Sequence, residues 1–146
     1  ELAAAVQTLV ALRPGSAWPI IRSALVTESE GDLVRIQALE LINSDTADEN
    51  DLAMAVLPHL DGSPDVSAAA LLCLTRLFPE GPRTTRTAEE WLTNASTIKR
   101  AAAIEAITGR ELDDVPRALL ESALEREPDI GLRRQIEAIL SRFDDA

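Results

Sequence analysis

The chain has 146 residues, 46% hydrophobic and 27% charged, with a formal net charge of −11. That balance suits one compact domain and opposes nucleic-acid binding, which needs a basic face. No apolar run approaches the roughly 18 residues of a membrane span, and the single cysteine, Cys73, excludes an internal disulfide framework.

Leu2 to Leu12 reads as a helix, stopped by Arg13-Pro14-Gly15-Ser16, where proline resists continuation and glycine permits a turn. Ala17 to Val26 is a second helix, with Pro19 tolerated in its first turn. After a turn at Thr27 to Gly31, Asp32 to Ile42 returns with Val34, Ala38, Leu41 and Ile42 at i, i+4, i+7 and i+8, the apolar stripe of a buried helix. The acidic loop from Asn43 to Asp51 lacks the glycine and the spacing of a calcium loop. Its carboxylates are expected to cap the next helix and offset its dipole. Leu52 to Leu60 and Asp65 to Phe78 form the next pair, joined by Asp61-Gly62-Ser63-Pro64. Residues 79–86 break the pattern and read as a loop, ahead of a short helix at Thr87 to Thr93 in which Trp91 is expected to pack inward. Ser96 to Thr108 follows, ended by Gly109. A helix within Glu111 to Glu127 carries Val115, Leu119, Leu120 and Leu124. Pro128-Asp129 turns the chain into a last helix at Ile130 to Phe143.

One of these helices recurs. The four stripe slots of Asp32 to Ile42 are filled 32 residues later by Val66, Ala70, Cys73 and Leu74, then in steps of 33 by Lys99, Ala103, Ala106 and Ile107, and by Leu132, Ile136, Ile139 and Leu140. A step of 32 backward gives Leu2, Val6, Leu9 and Val10. A helix rewritten at near-constant period is the signature of an α-helical repeat array, in which each unit buries its apolar face against the next. We expect one all-α domain over 1–146: a closing helix of a truncated repeat at 1–12, then helical hairpins at 17–43, 49–78, 87–108 and 112–143. The first helix lacks an opening partner and the chain does not begin with Met, so a fragment of a longer protein is expected.

The turns and second helices carry a resemblance. Asp32-Leu33-Val34-Arg35, Pro64-Asp65 with Ser67, and Pro128-Asp129 with Leu132-Arg133 resemble the Pro-Asp, Val-Arg pattern of HEAT repeats. The period is similar to that of the short bacterial HEAT-like class, which includes repeats found in phycobilin lyases. Ser67 stands where the pattern has Arg, and the third repeat lacks Pro-Asp and puts Lys99 in an apolar slot. Tetratricopeptide repeats share the period but want aromatic residues at set places, and the chain has no Tyr. The resemblance implies a right-handed α-α superhelix, a solenoid whose second helices line the partner-binding surface.

On that surface the candidate binding residues are Arg35, Arg100 and Arg133, in register with one another, with Glu40, Glu105 and Arg134. Asn43, Thr75, Thr108 and Ser141 make a second equivalent row of small polar residues, and Arg83 and Arg86 a local basic patch. The Arg row also has a structural reading, as a ladder with the turn aspartates. No glycine fingerprint, phosphate loop, nucleophile elbow or zinc motif is present, and lone His59 and Cys73 make no dyad. We therefore expect no catalytic residue, cofactor or metal. The expected function is that of a scaffold or regulatory domain in a larger cytoplasmic protein, binding a basic or neutral protein partner. A chromophore-lyase-like protein and a nucleic-acid-associated HEAT-like module are the alternatives, the latter opposed by the acidity.

Overall fold

A computed structural model describes residues 17–27 and 31–145. The helix expected at 1–12 lies outside the described residues. The described chain is helical and contains no strand. Its elements are α1 (Trp18–Val26), α2 (Asp32–Leu41), α3 (Glu49–Val56) running into a 3-10 turn (Leu57–Asp61), and α4 (Pro64–Leu77). There follow α5 (Pro82–Trp91), α6 (Thr97–Thr108), a 3-10 turn (Leu112–Asp114), α7 (Arg117–Arg126) and α8 (Ile130–Ser141). They group into two compact units that meet in sequence between Leu77 and Phe78. The repeat reading puts four hairpins in one domain; the packing gathers them two and two.

Within the first unit α2 packs on both α1 and α4, and α3 packs on α4. Within the second, α5 pairs with α6, α7 pairs with α8, and α6 packs on α8. In each unit, then, one closing helix lies against the next. The stripe explains half of this. Ala38 and Ile42, all four slots of α4, Ala103, Ala106 and Ile107, and Leu132, Ile136 and Ile139 are buried. A second column one residue along, Leu39, Leu71 and Ile104, is fully buried as well. Each of these helices is therefore covered along two adjacent columns, which broadens the apolar face beyond a single stripe. In α8 the same column holds Glu137, which is exposed.

Two differences from the sequence expectations have physical causes. Residues 82–86, expected as loop, are the first half of α5. The buried residues of this helix are Thr84, Thr87, Ala88 and Trp91, at i, i+3, i+4 and i+7. The helical period is intact but is written in threonines, which an apolar pattern does not register. Pro82 sits in the first turn, where its missing N–H is not needed. Gly81 permits the tight entry, since a Cβ there would lie 3.1 Å from the Phe78 Cβ. The second difference is Lys99. It is half-buried in an apolar slot, with its ammonium 4.9 Å from the centre of the buried Trp91 ring.

Truncation of the second column gives a direct check. Ile104→Ala should lower unfolding free energy by about 2–5 kcal/mol in urea titration. Met54→Ala, at a side chain that is 69% exposed, should change it by less than about 0.5 kcal/mol.

Candidate functional site

The Arg row is resolved in atomic terms. Arg35 donates from one terminal nitrogen to the Thr27 carbonyl at 3.2 Å and from the other to Asp32 at 3.4 Å. Arg133 donates to the carbonyls of Leu124 and Glu127, both at 3.1 Å. Arg100 donates to the carbonyls of Asn94 and Ala95 at 2.9 and 3.1 Å. Each guanidinium thus reaches back to where the chain leaves its opening helix. Ser67 is the residue equivalent to these arginines in α4, and its hydroxyl donates to the Gly62 carbonyl at 2.9 Å. The 3-10 turn before α4 brings that carbonyl within reach of a short side chain, so the departure from Arg keeps the same bond. Among the described residues the ladder expected with the turn aspartates is formed only by Arg35 with Asp32; Arg133 reaches carbonyls alone, and Arg100 reaches carbonyls, Thr97 and Glu127, because the chain leaving each opening helix presents its carbonyls to the guanidinium.

Arg100 does more. Its Nε and one terminal nitrogen hold the Glu127 carboxylate at 2.8 and 3.2 Å. A further bond goes to the Thr97 hydroxyl at 3.2 Å, so all five N–H groups have acceptors. Glu127 is 3% exposed and its other oxygen interaction comes from the Asp129 amide at 3.1 Å. This buried fork ties α6 to the turn before α8.

The residues just ahead of the closing helices share a second job. Ser96 accepts from the Lys99 amide and Asp129 from the Leu132 amide, and Ser63 holds the same place before α4, accepting from the Val66 amide at 3.4 Å. These caps stand at the 33-residue step and were legible as Ser or Asp before each helix, the signal that the Pro-Asp pattern obscured. Ser63 also donates to Asp32 at 2.8 Å, linking two successive turns.

The remaining sequence candidates fall elsewhere. Glu40, Glu105 and Arg134 are exposed on α2, α6 and α8 and make no ion pair among the described residues. The hydroxyls of Thr75 and Thr108 donate to carbonyls four residues back, and that of Ser141 to Ala138, while Asn43 builds a turn with Asp45 and Thr46. Arg83 and Arg86 are exposed on α5. Asp48 stands at the N-cap of α3 without making a side-chain capping bond, and Glu49 and Asp51 lie in the first turn, where they favour the dipole. The described residues include no group of three His, Cys, Asp or Glu side chains fit to hold a metal ion.

The lone titratable groups are shaped by burial. Cys73 is buried, and desolvation pushes its thiol up to about 11 against the opposing pull of Arg76, so at neutral pH it is protonated and a poor nucleophile. His59 lies half-buried in the 3-10 turn, and burial first, then the charge of Arg35, lowers its pKa from 6.5.

One cleft of about 150 Å³ lies in the second unit, beside the Arg100–Glu127 fork. Leu92, Ala123 and Pro128 give it apolar edges, and Thr93, Asn94 and Arg126 complete its polar lining. No family model, no curated protein and no solved structure matches the chain.

Two measurements follow from this geometry. Glu127→Gln leaves Arg100 charged in a buried site and should cost about 3–5 kcal/mol by urea unfolding; a loss under about 1 kcal/mol would mean that water reaches the fork. For His59, the unfolded chain takes up a proton at a higher pH than the folded chain does. Stability is therefore unaffected above the unfolded value and falls as pH drops through about 6.5. The urea midpoint should decline from about pH 7.5 to about pH 5.5, with a shallower slope in His59→Gln. Parallel slopes would remove His59 as the cause.

Proposed function

We propose that this chain is a HEAT-like interaction module, a section of a right-handed α-α solenoid that serves as scaffold or regulatory domain in a larger protein and performs no catalysis itself. The repeated hairpin, the packing of closing helix on closing helix within each unit, and the rung kept in register by Arg35, Ser67, Arg100 and Arg133 support the reading. The observation that carries it is the division of charge on the closing helices. The rung guanidiniums donate to the protein's own backbone, whereas Glu40, Glu105 and Arg134 are exposed and unpaired among the described residues. Glu40 in the first unit, and Glu105 and Arg134 in the second, are the closing-helix charges open to a protein partner. With a chain charge of −11, its contact surface would be basic or neutral, and electrostatic steering would speed the encounter. In this reading the module needs no cofactor or metal and works in the cytoplasm.

Capture from a cell lysate tests the surface. The wild-type chain, a Glu40→Arg/Glu105→Arg variant and a Met54→Arg variant would be immobilised side by side. Proteins held by the wild type should be lost from the double variant and kept by Met54→Arg. Identical sets on all three would place binding away from the closing helices.

A further inference from the structure

The cleft beside the Arg100–Glu127 fork has an uneven supply of hydrogen-bonding groups. At its floor, every Arg100 N–H has an acceptor, and Glu127 accepts three bonds, from Arg100 and from the Asp129 amide. That pair is closed. Around it, Asn94 uses its side-chain oxygen to accept from the Ser96 amide at 2.9 Å and its backbone oxygen to accept from Arg100. The Asn94 side-chain NH₂ has no acceptor among the described residues. Thr93 is exposed, with a hydroxyl that has no partner among them. Arg126, in the last turn of α7, is exposed and forms neither a hydrogen bond nor an ion pair among them. The unused capacity is thus an amide donor, a hydroxyl and a whole guanidinium. Two guanidiniums against one carboxylate also leave the lining with one positive charge in excess, inside a chain of −11.

From this we infer that the cleft receives the carboxylate of an acidic side chain belonging to a bound polypeptide segment. A carboxylate offers two coplanar oxygens that match the Arg126 fork, and a third interaction is available from the Asn94 amide. The volume holds a side chain and excludes a large ligand, and Ala123 and Pro128 border the space its methylenes would take. An exposed guanidinium gains little from a carboxylate alone, up to about 1 kcal/mol. A free anion would therefore bind poorly, and the contact acts as a selectivity point for a segment held along its length. Glu125 and Asp129 adjoin the lining, so the attraction is the contact of a carboxylate with the Arg126 guanidinium and not a surplus of positive charge around the cleft. The inference does not depend on the closing-helix surface, and the two can fail separately.

The test uses the whole 146-residue chain, labelled with nitrogen-15 and titrated with an acetylated, amidated peptide of alternating glycine and glutamate. A glutamine version of the peptide and inorganic phosphate serve as comparisons. The glutamate peptide should shift amides of residues 93–96 and 126–129, and the glutamine peptide should not. Arg126→Gln should weaken binding roughly fivefold. Arg126→Lys, which keeps the charge and loses the fork, should fall between, and Arg83→Gln should bind as the wild type does. Absence of localised shifts, an equal response to inorganic phosphate, or unchanged affinity in Arg126→Gln would each overturn the assignment.

Discussion

The fold depends on how its helices end. A helix leaves its last four carbonyls without intrahelical donors, and many proteins resolve this with a residue in the left-handed region, usually glycine. Among the described residues no glycine and no other residue adopts a positive φ. Even Gly109, at the C-cap of α6, is right-handed at φ −80°. Thr27, Ile42 and Glu127 leave their helices in extended conformation. Arginine supplies the missing donors. Arg35 and Arg133 serve the exits of α1 and α7, while Arg76 reaches the carbonyls of Leu39 and Ile42 and Arg142 those of Thr108 and Arg110. A charged donor onto the negative end of a helix dipole is worth more than a neutral one, about 1.5–3 kcal/mol before the cost of ordering the side chain.

These guanidiniums act in two directions. The rung residues close a hairpin on itself, because the donor lies on the closing helix and the acceptor at the end of the opening helix. Arg76 and Arg142 instead join one closing helix to the closing helix before it, once within each unit. Hydrophobic burial provides most of the driving force but is not directional. Forked bonds to fixed carbonyls set the register at which one helix slides along another. Arg142 spans the Thr108 and Arg110 carbonyls with two different nitrogens, whereas Arg76, Arg100 and Arg133 each serve two carbonyls from one nitrogen; Lys99, the one lysine, is placed over an aromatic ring.

The same division separates side chains engaged in the fold from those left exposed. Residues that repeat most faithfully, the rung and the caps, are occupied with backbone groups. The side chains with unused capacity are Glu40 and Glu105, at equivalent positions of α2 and α6, Arg134 on α8, and Arg126, Asn94 and Thr93 around the cleft. In a repeat array, periodicity reports what every unit needs to fold. Arg100 illustrates the boundary, since it shares the rung with Arg35 and Arg133 and alone among them carries a buried carboxylate from the next turn.

The sequence by itself determined the all-α class, nearly every helix, the buried stripe and the equivalence of the Arg positions. Those features rest on local period and on proline and glycine punctuation, which act within a few residues. Tertiary structure decided what the period could not encode. Thr84 and Thr87 became core because Trp91 and Ala88 share their face. Leu39, Leu71 and Ile104 became a second buried column because a closing helix covers another closing helix. The acceptors of the arginines are backbone carbonyls, and a carbonyl carries no side-chain identity for a sequence to display. Glu127 and Arg100 stand 27 residues apart, and only the packing of α6 on α8 brings their charges out of water together.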